Sequence, residues 1–447
     1  MSKKISIGVT GFARSGKTVF ICAFIQALLT AEAWSLKRGQ GPFARFAPLE
    51  RGQLKFVKIK TSQRTDLPQF PFKKVRESLT GSASSWPLPT EGVSRIYVEV
   101  KYSPLRRFMN RDKTLMIELV DFPGEWLIDL PMLEMTYEQW SEAMLEKAGS
   151  GRRNAWSEVY RSRIERLDSS EYFDEDLIEE LSDDWLAYMA DSIKNGYTLN
   201  QPGRLLRPDS MRHSPVLRLC PLPARLVGSE LWSGMEKRYK DYQKQVIKPF
   251  YKKHLSKIDR QIVLVDILKS MRLGEEVFTE MTTSLSETLK SFNYGNGGPL
   301  SFLLGGSTTH LLFAATKCDH VVRGDRANIE ETLKRMIAHV DDENQIRASS
   351  FKFGSMALSS IKVTEDRKTM KSPVREILYG LSSGESEPKQ YDPGGVPLDF
   401  PPTWDEMDFV FYDFQPMNGV MTDAMYEGFP AYNLGKAIDF LIGDDFS

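Results

Sequence analysis

The sequence predicts an α/β protein: a doubly wound, mostly parallel sheet with one antiparallel strand, interrupted by an inserted α-helical domain. Three observations predict it. A β-branched strand near the N-terminus runs through a glycine turn straight into an apolar helix. Two later runs, 260–268 and His310–Ala315, have the unbroken hydrophobicity of parallel strands buried on both faces, and helical patterns follow each. Between 127 and 257 only helical periodicity occurs, and no segment reads as a core strand.

The first strand carries Ile5, Ile7 and Val9, and the turn after it, 11–18, spells GFARSGKT. This fits G-x-x-x-x-G-K-[ST] at every fixed position, a match that arises by chance in roughly 1 or 2 % of chains this long. Gly11 and Gly16 let the backbone fold tightly. The N–H groups of Phe12, Ala13, Arg14, Ser15, Gly16, Lys17, Thr18 and Val19 can then face phosphate oxygens, with the positive end of the helix dipole behind them. Lys17 would reach the β- and γ-phosphates, and the Thr18 hydroxyl would bind Mg²⁺. The turn reads as a P-loop, a nucleoside triphosphate site.

After the first helix comes a long mixed stretch with a candidate strand at Leu54–Lys60 and a short helix at 72–79. Ser94–Tyr102 alternates with period two, and 114–120 is a second strand. Their short connection makes the pair antiparallel. The second of them runs into Asp121, with Gly124 three residues on. An Asp ending an apolar strand after a P-loop is where the Mg²⁺-facing carboxylate belongs, and Gly124 permits an N–H to approach the γ-phosphate.

Helices are expected at 132–148, 155–166, 174–193 and 228–257, broken by the Pro/Arg/Gly-rich 195–223. The third is acidic (Asp174 to Asp184) and the fourth basic (Lys237 to Lys257) with tyrosines between. Such faces are solvated or mutually paired, or form a surface for a protein partner or an anionic membrane. Beyond 260–268 the pattern gives a helix at 275–292, a Gly-rich loop at 293–308, a helix at 327–340 and a strand at 349–357. The segment 382–403 reads as a loop or a second small insertion, and 433–442 as a closing helix. The expected organisation is 1–126 as the first part of the P-loop domain, 127–257 as the helical insertion and 258–447 as the second part.

Composition narrows the classes. The 59 basic and 60 acidic residues leave a net charge of −1, so no bulk electrostatic case for nucleic acid exists. Three cysteines without CxxC spacing argue against disulfides and a zinc site. No stretch resembles a signal peptide or a transmembrane span, so the expectation is a cytoplasmic protein, with peripheral contact at the inner membrane left open.

The strand at His310–Ala315 leads into Thr316, Lys317, Cys318 and Asp319. A carboxylate held there can accept two hydrogen bonds from guanine N1–H and the exocyclic amine, which adenine does not offer. The Lys317 stem can pack along the base. Residues 11–18, 121–124 and 316–319, in that order, resemble the signature of Ras-like and translation-factor GTPases. That resemblance implies a switch I threonine before Ser94–Tyr102, for which Thr90 is the candidate second Mg²⁺ ligand, with Thr61 and Thr65 behind it. It also implies a last guanine loop, matched loosely by 355–358, in which Met356, Ala357 and Leu358 would meet the base and the Ala357 N–H its O6. Two positions depart from the class. Glu125 stands where many GTPases carry a water-orienting Gln, and Arg14 inside the phosphate loop could act as an arginine finger in cis.

More narrowly, GFARSGKT, LVDFPGEW, the helical insertion and ATKCD resemble the YcjX-like family of bacterial stress-associated P-loop proteins. The family is often described as a predicted ATPase, whereas TKCD argues for GTP. The resemblance implies a role in stress response and a membrane-protein partner. The function expected is a Mg²⁺-dependent GTP/GDP switch of weak intrinsic activity, with the insertion reporting nucleotide state to a partner. The alternatives are an ATPase, or a low-turnover nucleotide-binding scaffold.

Overall fold

A computed structural model describes residues 3–12, 14–31, 45–61, 67–81, 84–88, 92–104, 112–293, 308–344, 352–370, 373–397, 403–404, 407–417 and 428–446. Side chains at 286–293 and 339–344 lie outside that description. The chain forms two compact units. The first comprises Met1–Phe122, Ile258–Gly274 and Ser307–Ser447, the second Pro123–Lys257 and Glu275–Gly306.

The first unit is built on a seven-stranded sheet. Its strands are β1 (Lys3–Gly11), β2 (Leu54–Lys60), β3 (Ser94–Tyr102), β4 (Lys113–Asp121), β5 (Arg260–Val265), β6 (His310–Ala315) and β7 (Lys352–Ala357). Their order is β2-β3-β4-β1-β5-β6-β7, with β3 antiparallel to both neighbours and every other pair parallel. This is the expected α/β sheet with one antiparallel strand. β5 and β6 are buried along their whole length, which is why they carry no polar alternation. Helix α1 (Lys17–Leu29) is apolar on nearly all sides because Phe20, Ile21, Phe24, Ile25 and Leu28 are all packed in the core.

Several expectations shift. The apolar run 260–268 is not one strand: β5 ends at Val265, and Asp266 caps a helix at Ile267–Leu273 by accepting the Lys269 N–H (3.2 Å). The polar Thr364–Lys368 (β8) and the segment Glu376–Ser382 (β9) form a small sheet with Lys389–Tyr391 (β10) and Phe414–Gln415 (β11), in which β9 pairs antiparallel with the other three. Part of the expected loop at 382–403 is therefore strand. The sequence TEDRK has no apolar alternation, so only its pairing with β9 reveals it. Helix Leu434–Ile442 closes the unit over the same core, as expected.

The second unit is helical among its described residues. The first expected helix, 132–148, instead splits into a 3-10 stretch Gly124–Glu134 and an α-helix Tyr137–Gly149. Pro131 interrupts the α-helical bonding, and Thr136 starts a new helix through a capping box with Gln139. Pro249 also breaks the fourth expected helix, which runs as Glu230–Tyr242, a π turn at Gln243–Ile247, and Lys248–Lys253. Helix Glu275–Asn293 groups with this unit rather than with the sheet. Glu280 explains why: it pairs with buried Arg153 (2.8 Å) and accepts the N–H groups of Thr198 (2.6 Å) and Leu199 (2.8 Å). The acidic face is partly paired internally, through Arg238–Glu175 (2.7 Å) and Arg218–Glu179 (2.9 Å).

Candidate nucleotide site

Parallel pairing brings the carboxyl ends of the central strands together. Val9 lies opposite Asp121, Gly11 opposite Leu264, Val265 opposite Ala315, and Ala315 opposite Ala357. The P-loop, Asp121, Asp266, the 316–319 turn and the residues after β7 therefore line one edge of the sheet, where ligands of open α/β sheets bind.

Two glycines shape the turn after β1 for different reasons. A Cβ on Gly11 would lie 2.4 Å from the Leu264 carbonyl oxygen and 2.4 Å from Ser15 Oγ, so no side chain fits. Gly16 has open space but takes φ +93°, and it starts α1 without any side-chain cap. The first turn of the helix is left to a ligand or solvent rather than to a capping hydroxyl. Arg14 is also left-handed (φ 62°), a conformation costing a side-chain-bearing residue about 1 kcal/mol.

Lys17 folds back over this turn. Its ammonium donates to the carbonyl oxygens of Gly11 (2.6 Å) and Phe12 (3.3 Å), and the residue is only 8 % exposed. Among the described residues no carboxylate pairs with it. A buried ammonium held only by neutral carbonyls is electrostatically incomplete, and an anion over the loop would complete it. Lys269 titrates below an ordinary lysine, chiefly because it is buried, with Lys317 and Arg14 opposing the Asp266 attraction.

These features lie within a chain whose relatives are known. A model of the YcjX-like family, DUF463, matches residues 5–446. The chain belongs to the YcjX-like family. It is 32 % identical to the Ras-like GTPase YcjX of Escherichia coli (strain K12) over an alignment of 464 positions, covering 99 % of this chain and 96 % of the relative. It is 29 % identical to the Ras-like GTPase YcjX of Shewanella oneidensis over 464 residues, covering 99 % and 94 %.

In this YcjX-like chain Asp121 is 2 % exposed at the end of β4. Among the described residues no group of three or more His, Cys, Asp or Glu could hold a metal by itself. One carboxylate and the Thr18 hydroxyl fit Mg²⁺ in particular, since that ion takes few protein oxygens and completes its shell with water and phosphate. Thr90 and Thr65, candidates for the second hydroxyl, lie outside the described residues, as does Ala13. Thr61 follows the edge strand β2, two strands away from β4.

The base-side turn departs from expectation. Thr316 donates its N–H and hydroxyl to the Val265 carbonyl (2.8 and 3.3 Å). Lys317 is left-handed (φ 60°) and pairs with Asp266 at 2.7 Å. Burial opposes its charge, but Asp266 prevails and holds the Lys317 pKa above the ordinary lysine value. Asp319 is 1 % exposed, and its carboxylate accepts the Ser359 hydroxyl (2.6 Å) and the Val363 N–H (2.8 Å). Each oxygen has a second acceptor site, so two hydrogen bonds to a base remain chemically available.

Ser359, not 355–358, is thus the residue after β7 that meets Asp319; its hydroxyl also accepts the Asp319 N–H (2.9 Å). Met356 and Ala357 belong to β7 itself. The Ala357 N–H is directed at Glu330 (3.4 Å) and the Leu358 N–H at the Ala315 carbonyl (2.7 Å), so the expected Ala357 contact to a base is not presented. The small polar pair Ser359-Ser360, one residue past the strand, is the signal for it in the sequence. Phe411, 5.6 Å from the Lys317 ammonium and stacked on His320 at 5.7 Å, could not have been found from spacing.

In the second unit, Gly124 opens the 3-10 stretch and Glu125 is buried, 3.7 Å from the Arg207 guanidinium. The cysteines Cys22, Cys220 and Cys318 are all free and buried. No described helix is long and apolar enough to cross a membrane.

Proposed function

We propose that this YcjX-like protein binds GTP and GDP with Mg²⁺, hydrolyses GTP slowly, and passes its nucleotide state through the segment beginning at Gly124 to the helical unit and a protein partner. The observation carrying this reading is the buried Lys17 ammonium, held by carbonyls alone at the start of an uncapped helix. The guanine assignment draws on the 316–319 turn and on the names of the two relatives. A cytoplasmic setting, peripheral membrane contact and a stress role rest on family resemblance alone.

In the reaction Lys17 would turn from the loop carbonyls to the phosphates, and the P-loop N–H groups would hold the β-phosphate oxygens. Asp121 and Thr18 would hold Mg²⁺, which supplies positive charge against the developing negative charge on the phosphate oxygens. The Gly124 N–H would meet the γ-phosphate. Lys317 would brace the base edge of the loop while keeping its pair with Asp266. Glu125 is a water-orienting candidate only when its carboxylate leaves Arg207. Arg14, in the phosphate loop, would stabilise the transition state. For Arg14→Ala, kcat should fall at least tenfold while the GDP Kd stays within about twofold. A loss of affinity alone would mean that Arg14 only binds.

Competitive binding of GTP, GDP and ATP with Mg²⁺ tests the base assignment. Guanine nucleotides should win by orders of magnitude, and Asp319→Asn should move the preference towards xanthine nucleotides. One observation favours a second reading, ATP hydrolysis: both Asp319 oxygens already accept hydrogen bonds from the chain and the residue is buried. ATP binding as tightly as GTP, and unaltered in Asp319→Asn, would establish it.

A further inference from the structure

The 3-10 stretch Gly124–Glu134 runs for 11 residues. Runs beyond three or four residues are uncommon, because 3-10 hydrogen bonds are poorly aligned and side chains at i and i+3 eclipse. This segment therefore takes its shape from what surrounds it. Within the second unit its C-terminal part is held by Tyr239 and Gln243, which donate to the Met132 carbonyl, and its first half mainly by one turn, residues 201–207.

Nearly every residue from 125 to 129 is held by that turn. Gly203 approaches so closely that a Cβ on it would lie 1.9 Å from the Glu125 carbonyl oxygen. The Glu125 carboxylate faces Arg207. The Trp126 indole N–H donates to the Arg207 carbonyl (3.1 Å), and the Arg204 guanidinium sits 3.5 Å over the Trp126 ring. The Gln201 amide donates to the Ile128 carbonyl. Asp129, wholly within the unit, accepts the N–H groups of Gly203 (2.7 Å) and Arg204 (3.3 Å) and the hydroxyl of Tyr242 (2.6 Å). The turn is itself fixed: Trp140 and Trp185 donate their indole N–H groups to Gln201 (3.1 and 3.0 Å). A buried network this densely hydrogen-bonded favours one geometry over its neighbours.

We propose that the 201–207 turn is the positioning element for the segment carrying Gly124 and Glu125, and that Asp129 is the positioning residue through which it acts. The turn sets where the Gly124 N–H stands and whether the Glu125 carboxylate stays on Arg207, so it controls turnover rather than nucleotide affinity. This rests on the hydrolytic reading above, and it adds the residues through which the helical unit governs that step. Neither Asp129 nor Gly203 belongs to a nucleotide-binding motif, and nothing in their sequence spacing marks them.

The test compares Asp129→Asn, Gly203→Ala and Tyr242→Phe with the wild type in the full-length protein. Hydrolysis is measured with both GTP and ATP, and GDP and ADP affinity by titration. Expected is a change in kcat of at least tenfold in Asp129→Asn and Gly203→Ala, a smaller change in Tyr242→Phe, and diphosphate Kd values within about twofold of wild type. Unchanged kcat in folded variants, or a kcat loss matched by an equal affinity loss, would overturn the proposal. A wild type hydrolysing ATP but not GTP counts against the guanine assignment and leaves this comparison intact. If the variants do not fold, or if the wild type hydrolyses neither nucleotide, native-state hydrogen exchange of the nucleotide-free wild type decides. Amides of 124–130 and 201–207 should open together with one free energy, and separate openings would sink the idea.

Discussion

Lys17→Ala should weaken GTP and GDP binding by two orders of magnitude or more, with no loss of thermal stability in the nucleotide-free protein. The two halves of this expectation come from one geometry. The ammonium is buried, yet its partners are the Gly11 and Phe12 carbonyls, which satisfy its hydrogen bonds without cancelling its charge. Removing it takes from the site its most direct charge for phosphate while relieving the nucleotide-free fold of a desolvated cation. Titration of GDP with Mg²⁺, paired with thermal melts without nucleotide, reads both. A Kd within threefold of wild type would mean that the ammonium is not a phosphate ligand. A fall in the melting point of many degrees would mean that Lys17 is structural.

The second large effect concerns pH. Burial pushes Asp129 from 3.8 up to about 7, against the hydrogen bonds from Gly203, Tyr242 and Arg204 and the nearby Arg204 charge. An acid whose folded pKa is raised contributes stability that is fully present below its unfolded pKa and lost as pH rises through the folded value. The second unit should therefore lose stability between about pH 4 and pH 7, by an amount on the order of 4 kcal/mol at most. The charged and titratable groups facing Asp129 are Arg204, Tyr242 and Tyr239, and burial holds both tyrosines above their ordinary range, so they stay neutral throughout this window. In the first unit His320 is buried and its pKa lowered, which gives the opposite slope on the acid side. The difference between wild type and Asp129→Asn isolates the carboxyl: chemical denaturation at pH 5 and pH 8 should show a gap for the wild type that shrinks in the variant. Equal gaps would place the Asp129 pKa near its ordinary value.

Much of the first unit is legible in the amino-acid sequence. Ile5, Ile7 and Val9, the glycines of 11–18, and the unbroken apolar runs of β5 and β6 each satisfy a local rule, and the short connection makes β3 and β4 an antiparallel pair, while the order of the strands is set by the packed sheet. Strands and phosphate loops announce themselves because their constraints act over a few neighbouring residues. The features that local patterns leave unread are nonlocal in origin. Thr364–Lys368 is a strand only because β9 accepts it, and Glu275–Asn293 joins the helical unit because Glu280 finds Arg153 from elsewhere in the chain. The 3-10 course of Gly124–Glu134 is legible only in the packed residues that hold it, the 201–207 turn and Tyr242 among them.

The same division runs through the site. The phosphate loop, the Asp121 carboxylate at a strand end and the identity of the turn at 316–319 are written in the sequence, because each is a short string whose backbone conformation and side-chain chemistry are set together. Packing of the whole chain decides that Lys17 lacks an anionic partner among the described residues, that Asp319 meets Ser359 and Val363, that Ala357 lies inside β7, and that Glu125 faces Arg207. These are questions of which side chain meets which across segments distant in sequence. Hydrogen bonds and charges are satisfied by proximity, and proximity between distant segments is a property of the packed fold.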